Sequence, residues 1–110
     1  MSDPMLELAP LVVPIHEPEA TIQQRFEAFD QANPWVRQAL TDLAMQAKRD
    51  GRTRIGMKHL VEVVRWNYGR RTSGTEFRFD NRYTSRFARA IVADHPDLAD
   101  LFELRRLRAA

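Results

Sequence analysis

The sequence predicts a mainly α domain of four to five helices behind a proline-rich arm. Three observations predict it. Apolar residues recur at three- and four-residue spacing through most of the chain after Thr21, helix start signals precede those windows, and four of the six prolines stand at Pro4, Pro10, Pro14 and Pro18. The chain has 110 residues, 44% of them apolar and 29% charged, ordinary proportions for one globular domain that can bury its own core. An extended arm over 1–20 and a helical domain over 21–110 follow from these signals.

The arm lacks a donor at each proline and is restricted before each one, so it should be extended. Its Leu6, Leu8, Leu11, Val12, Val13 and Ile15 are too apolar for a solvated tail, and packing on the domain is preferred to waiting for a partner. The first helix is expected over 21–31, with Thr21 and Gln24 in capping-box spacing and Ile22, Phe26 and Phe29 on one face. Asn33 as N-cap and Pro34 at the first helical position start a second helix, which carries Val36, Ala39, Leu40, Leu43 and Ala47 to about residue 49, with Gly51 as the stop. A basic link, Arg52-Thr53-Arg54, leads to a third helix over 56–68 with Met57, Leu60, Val61, Val64 and Tyr68 inward. Residues 69–76 read as a loop, Phe77-Arg78-Phe79 as a short strand, and 81–94 as a fourth helix stopped by Pro96. A last helix or turn over 97–107 docks through Leu98, Leu101 and Phe102. Two arrangements fit this order: a winged-helix-like domain with one short strand or hairpin as the wing, or a plain helical bundle.

The charge is uneven. Residues 1–34 hold Arg25 against six carboxylates, a balance of −5, so with +2 over the whole chain the remainder carries +7. Of 17 basic residues only Lys48 and Lys58 are lysine, and arginine supplies the planar fork that suits phosphate and carboxylate. A GC-rich coding genome explains the same bias with no functional content. No cysteine is present, which excludes a disulfide framework, a thiolate metal site and a cysteine nucleophile. The longest apolar run, 8–15, contains two prolines and falls far short of a membrane span, and the first residues have the wrong polarity for a signal peptide. A cytoplasmic protein without a membrane partner is the expectation.

No catalytic constellation stands out. The carboxylates are scattered, no serine sits in a nucleophile elbow and no glycine loop would cradle phosphate. His59 and Glu62 could meet on one helical face, but a metal needs at least one more ligand, so His59 reads as a structural or solvated residue and no metal or cofactor is expected. The basic stretch carries the function instead. With the second and third helices as a helix-turn-helix, the candidate phosphate contacts are Arg52 and Arg54 in the link, Lys58 and Arg65 on the third helix, Arg70 and Arg71 in the loop, and Arg78 on the wing. The bland reading makes them a solvated or internally paired face. Trp35 and Tyr68 are expected in the core, whereas Trp66 lies off the apolar stripe and could anchor a protein partner. Arg82, Arg86 and Arg89 fall within about 60° of one another on a helical wheel and would suit an acidic partner surface.

Phe26-Glu-Ala-Phe29, Asn33-Pro-Trp35, Leu60-Val-Glu-Val-Val-Arg-Trp66 and Phe77-Arg-Phe-Asp-Asn81-Arg-Tyr83 together resemble a group of small uncharacterised proteins encoded by bacteriophages, prophages and bacterial genomes. The likeness spans about 21–108, with the Asn-Pro-Trp and Asn-x-Tyr elements its most specific parts, and leaves the arm outside. It implies a phage-associated accessory protein inside a bacterial cell and transfers no activity. The expectation is a non-catalytic regulatory protein that binds nucleic acid, duplex DNA first. The alternative is a protein-interaction module such as a phage-encoded inhibitor of a host or defence protein. A homodimer could form if the arm exchanges between subunits.

Overall fold

A computed structural model of the chain describes residues 10–71 and 76–102, with the side chain of Arg71 excepted. Within them lie four α-helices: α1 (Ile22–Ala32), α2 (Pro34–Arg49), α3 (Met57–Arg71) and α4 (Thr84–Asp94), with 3-10 turns at Asn81–Tyr83 and Pro96–Leu98. The fold is mainly helical, as the periodicity requires. None of these helices is long and apolar enough to cross a membrane. Residues 1–9 of the arm, residues 72–75 of the expected loop and the end of the expected last helix fall outside the described residues.

Local chemistry sets most of the boundaries. Thr21 closes a full capping box on α1: its hydroxyl accepts from Gln24 N at 3.1 Å, and Gln24 Oε1 accepts from Thr21 N at 2.8 Å. Pro34 begins α2 where its missing N–H costs nothing. Gly51, just beyond the helix end, sits at φ +86°, a conformation that only glycine reaches without strain.

Five expectations need correction. Asn33 makes no side-chain cap for α2, because its amide is committed elsewhere. The link from α2 to α3 spans residues 50–56, longer than a helix-turn-helix turn. α3 runs to Arg71 rather than 68, so Arg70 and Arg71 end a helix instead of sitting in a loop. Among the described residues no strand forms. Phe77 and Phe79 do alternate inward around exposed Arg78, but the segment lies on the helices by its rings and pairs its backbone with no described neighbour. The fourth helix opens as a 3-10 turn, capped by Asp80, whose carboxylate accepts from Arg82 N at 2.9 Å.

The core holds Val36, Leu40, Val61, Val64, Phe87, Ile91 and Leu98, all essentially inaccessible, and burying each such side chain contributes about 1.5–3 kcal/mol. Eight aromatic rings run through it. Phe26 meets Phe87 edge-on at 4.8 Å, Phe29 meets Tyr83 at 5.3 Å, and Trp35 stacks on Tyr68 at 5.7 Å. Phe77 and Phe79, parallel at 5.7 Å, join the two groups. Arg37 ties three helices, pairing with Asp30 of α1 and, at 3.1 Å, with Asp94 of α4. Lys48 Nζ donates to Asp97 O at 2.8 Å and so fixes the end of α2 to the last turn.

The described part of the arm packs on its own domain. Asn33, fully buried, accepts from Val12 N at 2.7 Å and donates to Val12 O at 2.6 Å, with a further bond to Phe29 O at 3.1 Å. Tyr68 Oη accepts from Leu11 N at 3.2 Å. The arm is thus gripped by its backbone, while Val12 and Val13 are half exposed and Ile15 fully so.

Candidate functional site

α3 is the element on which the candidate residues converge. Its inner face buries Met57, Leu60, Val61, Val64 and Tyr68, and at 100° per residue the opposite face must carry Lys58, Glu62, Trp66 and Arg70. All four are exposed, Trp66 to 70%. Lys58 and Arg70 lie about 18 Å apart along the helix, from a rise of about 1.5 Å per residue. Trp66 borders a shallow surface depression with Glu62, Arg65, Gly69 and Arg70, so an aromatic plate and cations share one patch.

The cations differ in what already holds them. Lys58, Arg70 and the link's Arg52 are exposed, and their side chains have no partner among the described residues. Arg54, in the same link, is exposed but engaged within the fold. Arg65 is half-buried; its Nε lies 3.5 Å from Glu62 Oε2 and its guanidinium carbon 5.9 Å above the Phe77 ring. Arg78 pairs with Glu76 at 3.4 Å, both well exposed. The Arg71 side chain lies outside the described residues. Arg70 in the last turn of α3 also complements the helix dipole, a structural role that needs no ligand.

The second arginine group is more firmly committed. Arg82 belongs to the 3-10 turn rather than to α4, and its guanidinium grips Asp80, with Nη2 to Oδ2 at 2.7 Å and Nε to Oδ1 at 3.1 Å. That hydrogen bond holds the Asp80 carboxyl below its usual range against partial burial, and Asp80 in turn raises Arg82. Arg86 reaches back to α1, where its Nε donates to Gln23 Oε1 at 2.9 Å. Arg89 is half-buried and engaged within the fold.

Sequence reasoning missed the arm's grip and a cavity beside it. Between the arm, α1, α3 and the segment 76–80 lies a space of about 430 Å³ bordered by His16, Arg25, Arg65, Arg78 and Tyr83. Burial, then the charge of Asp80, pushes the Tyr83 hydroxyl above its ordinary value. No local signal marks either feature, because each joins distant parts of the chain; the arm's hydrogen bonds alone span 21 and 57 positions. Among the described residues no group of three His, Asp or Glu is placed to hold a metal, and His59 is simply exposed. No protein family, curated protein or solved structure matches the chain.

Proposed function

We propose that the chain is a small, non-catalytic, phage-associated accessory protein that acts in the bacterial cytoplasm by binding duplex DNA through the outward face of α3. The observation that carries this reading is that Arg52, Lys58 and Arg70 offer exposed charges with no partner among the described residues. Such donors are available to phosphates without breaking any ion pair among the described residues. Arg65 and Arg78 add contacts once they exchange Glu62 and Glu76, both surface pairs of small strength. In the finer form of the reading, α2, its link and α3 act as a loose helix-turn-helix, with the segment 76–80 as a wing-like support.

Fluorescence anisotropy with a random-sequence duplex, across a salt series, tests the proposal. Binding at micromolar or tighter affinity at low salt, falling steeply as salt rises, is the expected result. Reversing Arg70→Glu and Arg71→Glu together should abolish it. Absence of binding at low salt overturns the reading.

One observation favours a second reading. Trp66 is 70% exposed beside Arg65 and Arg70, and aromatic and arginine side chains are enriched among the anchors of protein interfaces. An inhibitor of a host or defence protein would use this patch. For that reading the Arg70/Arg71 reversal should spare partner binding, whereas Trp66→Ala should remove it.

A further inference from the structure

The two tryptophans of this chain are used in opposite ways. Trp35 is committed to the core, stacked on Tyr68 at 5.7 Å with the rings 9° from parallel. Trp66 is 70% exposed, and no ring, hydrogen bond or ion pair among the described residues engages it. It stands within a stripe along α3, Lys58, Glu62, Trp66 and Arg70, each about 6 Å along the axis from the next. Leaving so large an apolar ring in water is unfavourable, and nothing in the packing of α3 offsets it.

Gly69, three residues beyond Trp66 and so beside it on the helix surface, adds a second observation. Glycine is the least favourable helix residue after proline. A Cβ built at Gly69 would meet nothing within 4 Å, and its φ is not positive, so neither packing nor backbone geometry calls for glycine. What the missing side chain does is keep open a depression of about 620 Å³ beside the Trp66 ring, bordered otherwise by Glu62, Arg65 and Arg70.

The border decides what the depression takes. The anchor of a protein interface sits among contacts that shut out water, and no second apolar side chain borders this one. Its surroundings are cationic instead, with Arg65 beside the ring, Arg70 one turn on and Lys58 two turns before. Glu62, the one carboxylate of the border, is paired with Arg65 at 3.5 Å, which offsets the charge it presents to an anion. A flat apolar plate among cations suits a nucleobase on its face and phosphates to either side. A continuous duplex offers no such base, because each base face is covered by its neighbours and only edges line the grooves.

We propose that the preferred ligand of α3 is duplex DNA interrupted by unpaired bases: one base leaves the stack and lies on Trp66 over Gly69, while Arg70 and Lys58 hold phosphates on either side. The inference rests on the reading of α3 as a DNA-binding face and narrows its ligand.

Anisotropy titrations of the full chain with three probes of equal length and charge test it: a continuous duplex, the same duplex with a short central run of mismatches, and the mismatched duplex with abasic residues in that run. The mismatched probe should bind about tenfold more tightly than the continuous one, the size of one base–aromatic stack, and the abasic probe should lose that gain. Trp66→Ala should remove the gain and leave affinity for the continuous duplex unchanged. Gly69→Leu, which puts a side chain into the open space, should also remove it, with the melting temperature unchanged or raised. Failure of all three probes to bind overturns the DNA-binding reading together with this inference. Binding of the continuous duplex with no gain for the mismatched one, a gain that the abasic probe keeps, or a gain that survives Trp66→Ala overturns the inference alone and leaves Trp66 to a protein partner.

Discussion

Two arginine-bearing surfaces of this molecule look alike in sequence and differ in what their donors already do. Around α4, Arg82 is spent on Asp80, Arg86 on Gln23, and Arg89 is engaged within the fold. Along the outer side of α3 and its link, Lys58, Arg70 and Arg52 are held by nothing described. A guanidinium that has already exchanged water for a protein acceptor must give up that bond before it can bind a partner, whereas an unspent one need only shed water. Arginine content therefore does not mark a binding surface. On the proposed reading the distribution of unspent donors matters more: Arg54, Arg65 and Arg78 on the α3 side are engaged like the α4 group, and Arg52, Lys58 and Arg70 are the cations left over among the described residues.

The largest effect that follows lies on the spent side, at the arm. Asn33→Ala removes three hydrogen bonds from a fully buried amide and leaves the Val12 and Phe29 backbone groups without their partners. A loss of about 2–4 kcal/mol is expected in urea unfolding, with faster hydrogen exchange at Val12 N and duplex affinity unchanged. A variant that keeps its stability would show that the arm does not depend on this amide. Next comes an unspent residue. Lys58→Glu should lower duplex affinity by about tenfold at low salt and reduce the salt slope by about one, while leaving the urea midpoint within error. Equal loss from Arg86→Glu would erase the distinction between the two surfaces.

How far the sequence could anticipate this follows physical range. The limits of α2 were readable from Pro34 and Gly51, because helix starts and stops are local chemistry. Exposure of Lys58 and Trp66 was equally readable, since it follows from the apolar stripe on the far side of α3, whereas Arg70 was expected in a loop. Gly69 misled, as a glycine usually costs a helix about 1 kcal/mol; here α3 continues through it to Arg71, once Tyr68 is anchored in the core. Phe77-Arg78-Phe79 has the alternation of a strand, but alternation records only an extended segment with one side buried, and a strand also needs a ladder partner. Asn33 shows the widest gap. Beside Pro34 it has every mark of a cap, yet the peptide group of Val12, 21 residues away, takes its amide. The spending of Arg86 is illegible for the same reason, because its acceptor Gln23 lies 63 positions distant, whereas the Arg82–Asp80 pair is local.

A smaller effect tests the spent arginines. Arg86→Ala removes one exposed hydrogen bond between α4 and α1, so it should cost at most about 0.5 kcal/mol and leave duplex affinity unchanged. A clear drop in affinity would move Arg86 to the available group.

The smallest expected effect concerns pH. The Asp80 carboxyl is depressed in the folded state, first by the hydrogen bond from the Arg82 side chain. A group with a lowered folded value contributes stability above its unfolded value, near 3.9, and that contribution is lost as pH falls through the lower, folded value. Wild-type protein should thus lose stability below about pH 4 slightly faster than Asp80→Asn, which has no such proton to take up. The difference should be small, since Arg82 is at the surface, and it should shrink in high salt. Stability measured by urea midpoints from pH 7 to pH 2.5, at low and high salt, gives the comparison. Parallel curves would mean that the Arg82–Asp80 contact is too loosely held to count as spent. Arg82 would then join Lys58 and Arg70 among the available cations, and the arginine surface would extend from α3 round to the 3-10 turn before α4.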